Sequence, residues 1–310
     1  MQSKILKILF IINSILEKRC GMKVKELIAD SLDPALFEPS MVYSDFPGHA
    51  RELARKSMDR YHVIVAGGGD GTVNEIGSQL IHSKVILGIL PMGSGKGLAR
   101  SLGIPMNIRK SIQTLNDFNV IEIDTGLANQ FRFISIAGIG FDATVAHAYA
   151  RKTGRGFFTY AFQTVRNLFH YTTVPVQIKT DQVEMSTRAF LLSFANSSQW
   201  GYGALISPHA STSNGLLDLC LLKNFPRVLS PILVIKLFNA SIHRSRFIDI
   251  LQIKQAEIVG NDKYIGHIDG EPVDFNTPIK ITVDPASLRV IAGRRRPVRN
   301  QPGPDHQQGK

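Results

Sequence analysis

The sequence predicts an α/β N-terminal domain on a parallel sheet, followed by a mostly antiparallel β-sandwich second domain. Three observations carry that expectation. Short apolar runs alternate with helical patterns over residues 1–125, as βα units with crossover helices do. Two of these runs break into glycine-rich turns, Gly67–Gly71 and Gly93–Gly97, and each turn is followed by a helix start. After Asp124-Thr125-Gly126, strand-like runs separated by turn residues take over. The expected boundaries are 1–125 for the first domain, completed by 285–293, then 126–284 for the second and 294–310 for a disordered basic tail.

Each element has its own signal. Lys7 to Asn13 reads as a strand ending in a loop at Asn13-Ser14, and Gly21 to Ser31 places Val24, Leu27 and Ile28 on one helical face. Ser40 to Tyr43 is a short strand, Ser44 to Gly48 a turn and His49 to Met58 a helix. Val63 to Ala66 has the β-branched apolar character of a strand buried on both faces, and a helical pattern runs from Thr72 to Leu80. Val85 to Leu90 is another buried strand, and the helix begun by Leu98 to Leu102 is interrupted at Gly103 and Pro105. Strands are then expected at 131–137, 174–179, 188–196, 216–223, 247–253, 264–268 and 279–283. Thr144 to Tyr171 and the apolar Pro231 to His243 read as helices.

Composition narrows the class. At 310 residues, 44% hydrophobic and 20% charged, the chain can bury a sizeable core as a globular protein. A formal net charge of +11 points to an anionic partner: a nucleotide, an acidic membrane surface or nucleic acid. The basic residues form no known nucleic-acid module with aromatic stacking positions, so nucleic acid is not expected. Cys20 and Cys220 offer no metal spacing and fit a reduced, cytoplasmic setting. No apolar run reaches the ~18 residues that cross a bilayer. Met1 to Leu16 has the lysines and apolar run of a signal peptide but no small-x-small cleavage site, and Ile8 to Ile12 reads equally well as a buried strand.

The glycine turns carry the chemistry. Backbone N–H groups and a helix N-terminus meet an anion at a strand–glycine turn–helix junction, and glycine lets the backbone approach closely. Asp70 inside the first turn would repel a phosphate unless a cation lies between them, which suggests Mg²⁺ or proton transfer beside a phosphoryl group. A solvated Asp in a plain tight turn is the bland alternative. The second turn, PMGSGKGLAR, could converge with the first on one nucleotide. It is not a Walker A loop, because Leu90 stands six before Lys96 and Gly97 replaces the Ser or Thr. Neither turn fits the dinucleotide fingerprint. Asp269-Gly270-Glu271, at a strand end, can place two carboxylates on one turn for proton acceptance and water or metal orientation. Alone, it reads as an ordinary hairpin turn.

Together these residues resemble the diacylglycerol kinase catalytic-domain family of lipid kinases, which includes sphingosine and ceramide kinases. Six motifs occur in order over nearly the whole chain: Gly68 to Glu75 (GGDGTVNE); Pro91 to Gly95 with Ala99-Arg100 and Leu102 to Pro105; Ala137 to Ala143; Asn196 with Gly201 to Gly203 and Pro208; Asn214 to Asp218; and Asp269 to Glu271. The resemblance implies a NAD-kinase/diacylglycerol-kinase-like nucleotide-binding domain with ATP between two domains. Its phosphates would lie over Gly68, Gly69, Asp70, Gly71, Thr72, Val73 and Asn74, with Ser44 and Ser94 near the nucleotide. It makes Glu271 the base that activates the lipid hydroxyl, supported by Asp269, with Asp70 organising Mg²⁺ and water. It also implies a structural Mg²⁺ near Asn214, Leu217 and Leu219, where Asn214 replaces an acid often found in the family. The first loop departs from NPxSG, since Asn13-Ser14-Ile15-Leu16 keeps only the Asn. Lys96 replaces a usual Asn, reaching phosphate or lying on the helix surface.

The implied activity is ATP- and Mg²⁺-dependent transfer of the γ-phosphoryl group to a lipid hydroxyl, with diacylglycerol first. A long-chain sphingoid base follows, because Gly93-Ser94-Gly95 has the sphingosine-kinase style. An enzyme of NAD kinase type and a non-catalytic nucleotide- or lipid-binding regulator are the remaining alternatives. The expected setting is cytoplasmic with peripheral attachment to an anionic membrane surface, and a homodimer is one option. Arg151, Lys152, Arg155 and Arg166, interleaved with Phe157, Phe158, Tyr160, Phe162 and Phe169, could lie in a headgroup layer or form a core helix with a solvated basic face. Arg294, Arg295, Arg296 and Arg299 could add lipid attraction or belong to an inert tail.

Overall fold

The computed structural model describes residues 5–21, 23–93, 96–150, 164, 166–168, 170–201 and 203–294. Ser94, Gly95, Tyr202, most of the basic aromatic stretch after Ala150 and the tail beyond Arg294 lie outside the described residues.

The first part alternates as its pattern predicts. Strands β1 (Leu6–Asn13), β2 (Phe37–Ser44), β3 (Val63–Gly68) and β4 (Ile86–Pro91) are joined through helices α1 (Ser14–Cys20), α2 (Val24–Ser31), α3 (His49–Ser57) and α4 (Asp70–Leu80). All four strands are parallel, in the order β2-β1-β3-β4. Val63 to Ala66 is fully buried because both faces are covered. Ile64 and Ala66 pack with Ala54 of α3 and Ile76 of α4, while Val63 and Val65 pack with Val24 and Ile28 of α2. The stretch expected as a loop after Asn13 is α1 instead. Asn13 caps it, its Oδ1 accepting the Leu16 N–H at 3.0 Å. After the short α5 (Gly97–Ser101), helix α6 (Ile108–Asn116) and strand β5 (Val120–Ala128) follow where no element had been read.

The second part is antiparallel and strand-rich. β6 (Phe131–Phe133), β7 (Ile136–Gly140), β8 (Val174–Thr180) and β9 (Glu184–Ala195) precede the small β10 (Gln199–Gly201)–β11 (Ala204–Leu205) hairpin. They are followed by β12 (Leu217–Lys223), β13 (Ile248–Ile253), β14 (Gln255–Gly260), β15 (Lys263–Ile268) and β16 (Glu271–Asn276). Helix α7 (Phe141–Ala150) follows β7, and α8 (Ser230–Phe238) lies between β12 and β13. The single strand expected at 131–137 is broken at Ile134-Ser135, between β6 and β7.

The last strand, β17 (Ile279–Ile291), ties the two parts together. Its start pairs with β14, Val290 meets Leu87 of β4 in parallel, and β5 runs antiparallel along most of it. Among the described residues, fifteen strands consequently share one mixed sheet rather than two separate ones. The helix start after β3 is thereby brought to the β6–β7 break and the β15–β16 turn, where Asn74 of α4 bonds to Asp269.

Candidate active site

The two glycine turns meet because β3 and β4 are neighbours. Met92 and Gly93 both donate their N–H to Gly68 O, at 3.0 and 3.2 Å. A β-carbon on Gly93 would collide with the backbone of Gly69, so the loops approach only as glycine on glycine. Thr72 packs its side chain over Gly68, leaving no room for a β-carbon there.

Asp70 opens α4 behind the N-cap Gly69. Its Oδ1 accepts the Gly97 N–H at 3.0 Å, so the acid of the first turn holds the helix start of the second. Burial pushes its carboxyl up to about 6, and the negative charge of Asp269 adds to the effect. The N–H groups of Gly97, Leu98 and Lys96 pull the other way. Lys96 itself has left-handed backbone at φ 60° and lines a cavity of about 490 Å³ with Pro91, Met92, Met106 and Asn107. That volume is within the range of small-molecule pockets.

Asp269 and Glu271 flank the β15–β16 turn. Asp269 and Gly270 both have positive φ, 48° and 87°, the two-residue hairpin conformation that Asp-Gly favours. The turn sends the two carboxylates to different fates. Asp269 is 7% exposed and accepts four hydrogen bonds. Oδ1 takes the N–H groups of Ser135 and Ile136, at 2.9 and 2.8 Å, and Oδ2 takes Ile134 N at 2.9 Å and Asn74 Nδ2 at 2.7 Å. The break between β6 and β7 supplies two of these donors and the first residue of β7 a third. Burial raises the Asp269 carboxyl and its donors oppose that shift. Glu271 is exposed, and a β-carbon at Gly71 would stand 2.8 Å from its Oε1. The last glycine of the first turn therefore makes room for the Glu271 carboxylate against the first turn of α4.

Other expected residues divide between this centre and the scaffold. Gly68, Gly69, Gly71 and Thr72 surround it. Val73 is buried and donates its N–H to Gly69 O at 3.0 Å, so that N–H is spent within the helix. Asn74 bridges, donating from one amide to Asp269 and to Arg132 O at 3.2 Å. Ser44 is 3% exposed at the end of β2, opposite Asn13 and two strands from β3, about 10 Å away at ordinary strand spacing. Ser94 lies outside the described residues. Glu75, for which the sequence offered only membership in the motif, accepts Gly48 N at 2.9 Å and Arg51 N at 3.4 Å, binding the α3 N-terminus to α4.

Asp124 belongs to none of the six motifs. It is buried on β5, with Oδ2 on Gly215 N at 2.7 Å and Oδ1 on Ala286 N at 2.8 Å. Asn196 donates to the carbonyls of Asp124 and Ile134, at 2.7 and 2.8 Å. An acid just before the Thr125-Gly126 turn signal, in a run of strand-forming residues, was the available signal.

Residues 7–128 match the diacylglycerol kinase catalytic domain, and residues 135–292 match the YegS C-terminal NAD kinase beta sandwich-like domain. The chain belongs to the YegS/diacylglycerol kinase family. Among its family relatives, a "Probable lipid kinase YegS-like" protein of Chromohalobacter salexigens is 27% identical over 249 residues, covering 78% of this chain and 79% of the relative. One of the same name from Yersinia enterocolitica is 29% identical over 234 residues, covering 73% and 77%. The crystal structure of a diacylglycerol kinase from Bacillus anthracis superposes with a TM-score of 0.72 at 20% identity, over 94% of this chain and 98% of that one, a likeness of fold.

Family membership implies a divalent cation with the nucleotide, and the centre suits one. Asp70 and Glu271 are hard oxygen donors, and Asp70 is held in surroundings that disfavour its charge until a cation balances it. Among the described residues no group of three or more His, Cys, Asp or Glu could hold a metal ion. A cation that arrives with a nucleotide is held by one or two carboxylates plus the substrate phosphates. The second metal position implied at Asn214, Leu217 and Leu219 would draw partly on backbone carbonyls. Asn214 Oδ1 accepts Leu216 N at 3.2 Å, and the Leu217 and Leu219 side chains are buried in the core, so neither leucine side chain faces such a cation. The acid that holds this turn, Asp124, already has a backbone N–H on each oxygen.

Proposed function

We propose that this chain is an ATP-dependent lipid kinase that transfers the γ-phosphoryl group to a hydroxyl of diacylglycerol. The observation that carries the reading is the exposed Glu271 carboxylate set against Gly71, at a helix start built from two touching glycine turns. A phosphate-accepting helix N-terminus beside an available carboxylate is what transfer to an alcohol requires.

Glu271 accepts the hydroxyl proton as the acceptor oxygen bonds to the γ-phosphorus. The bond from that phosphorus to the β–γ bridging oxygen breaks, and its electron pair leaves with ADP. The first-turn N–H groups of α4 stabilise the phosphate charge. Asp269 is spent on four donors and acts as a positioning residue, locking the turn that aims Glu271. Mg²⁺, when bound with the nucleotide, supplies charge neutralisation on the phosphates, and Asp70 is the residue that would hold it.

The test is transfer from labelled ATP to diacylglycerol, a sphingoid base, ceramide and phosphatidylglycerol in mixed micelles. Wild type should label diacylglycerol, and Glu271→Ala and Asp70→Ala should not. Labelling of the sphingoid base instead would move the substrate to that class. No lipid labelled, with NADP⁺ formed from NAD⁺, would overturn the reading.

A further inference from the structure

The exposed apolar side chains of this chain are unevenly placed. Among the described residues twelve large hydrophobic side chains are exposed, and five of them, Val228, Ile232, Val234, Ile235 and Phe238, lie on or just before α8. Val228 is 80% exposed and Ile235 60%. The helix does not lack an inner face. Leu233 is buried and Leu237 packs beside it against Ile206, Phe225 and Ile248. A surface helix of a soluble protein carries one apolar stripe and a polar outer side. This one is apolar on both.

Its surroundings are cationic. From Asn224 to Ile248 the sequence has no Asp or Glu, and it has Arg227, Lys236, Arg244 and Arg246. Arg227 is spent inside, donating to Phe225 O and Tyr171 O with its guanidinium over the Phe190 ring. Arg244 and Arg246 are exposed, and Lys236 Nζ lies 3.4 Å from Arg244 O, which sets the α8 lysine beside the segment that carries both arginines. A second copy of the chain is a poor occupant. A twofold contact would bring two basic rims together in a molecule that already carries +11.

We propose that α8, with Val228, is the surface by which this protein docks on an anionic lipid bilayer. Its apolar side chains enter the boundary between headgroups and acyl chains, and Lys236, Arg244 and Arg246 meet lipid phosphates. The position suits such a role. α8 packs on β11, β11 pairs with β10, and β10 packs on α5, whose first N–H holds Asp70. Docking is independent of the kinase reading, since it needs neither nucleotide nor turnover.

The experiment is co-sedimentation of the full chain, without nucleotide, with vesicles of phosphatidylcholine plus phosphatidylglycerol and with vesicles of phosphatidylcholine alone. Wild type should bind the anionic vesicles more tightly and lose affinity with salt. Arg244→Gln with Arg246→Gln should weaken binding about 30-fold, and Ile232→Asp with Ile235→Asp should abolish it. Val183→Asp, a substitution at an exposed apolar residue elsewhere, should bind as wild type. Thermal melting checks that each variant is folded, and the Arg244/Arg246 pair decides alone if the Ile232/Ile235 pair is not. Failure of wild type to bind, or wild-type binding by the folded variants, would overturn the proposal. So would a dimer in sedimentation that Ile232→Asp with Ile235→Asp splits, which would give the face to a second copy. Turnover of a water-soluble short-chain acceptor tests the kinase reading separately, and the α8 variants should retain it.

Discussion

Asp269 and Glu271 stand two residues apart with the same functional group, and hydrogen bonding separates their roles. Asp269 satisfies three backbone donors and one amide. Asn in its place offers a single acceptor oxygen and turns an NH₂ toward N–H groups, so Asp269→Asn should cost about 2–5 kcal/mol in urea unfolding. Glu271→Gln should stay within about 0.5 kcal/mol of wild type and lower phosphoryl transfer by about 10²–10⁴. Equal stability loss in both variants would contradict this division. Asp70 makes a pH-dependent contribution of the opposite sign from a salt-bridged acid. Its folded pKa is raised from 3.8 to about 6, so the stability it adds is present below 3.8 and lost as pH rises through about 6. Asp70→Asn should therefore flatten that fall and, near pH 7, be at most about 3 kcal/mol more stable than wild type, less where solvent screens the carboxylate. Urea midpoints across that range check the sign.

At the scale of elements, the contact between the glycine turns holds the centre together. A β-carbon at Gly93 meets backbone, which cannot rotate away as a side chain can. Gly93→Ala should cost about 1–3 kcal/mol and weaken ATP binding by prising the turns apart, as titration calorimetry with Mg-ATP would register. Elements with strong local signals were legible: β1, β3 and β4 by their apolar runs, and α2 by its spacing. Those decided by distant partners were not. Phe131 to Ala137 reads as one strand because every residue suits one, yet the chain turns at Ile134-Ser135 so that three consecutive N–H groups converge on Asp269. The α1 start carried a readable sign in Asn13, a good N-cap residue, which the family's loop pattern obscured.

For the whole molecule, β17 is the shared member. It contributes residues to the antiparallel part through β14 and to the parallel part through β4, with β5 beside it. Asp124 adds a clasp, holding the turn before β12 and the kink of β17 at Ala286. Neither part can lose its edge without the other losing a strand, so unfolding followed by fluorescence of Trp200 and by far-ultraviolet circular dichroism should give one coincident transition. A fragment ending at Ala128 lacks the strand that β4 and β5 pair with, and should show no cooperative melt. Two separated transitions in the full chain would show that the parts are independent.

By itself the sequence determined the alternation of strands and helices, the two glycine turns, the Asp-Gly hairpin turn and the family. These depend on near neighbours: apolar periodicity, the φ that glycine permits and the spacing within a motif. Only the tertiary structure decided which carboxylate is free, which is consumed and which apolar helix faces outward. The donors that saturate Asp269 lie 133–135 residues away along the chain and another 195 away. A carboxylate's availability is set by the partners that surround it in space, and no local pattern carries that information.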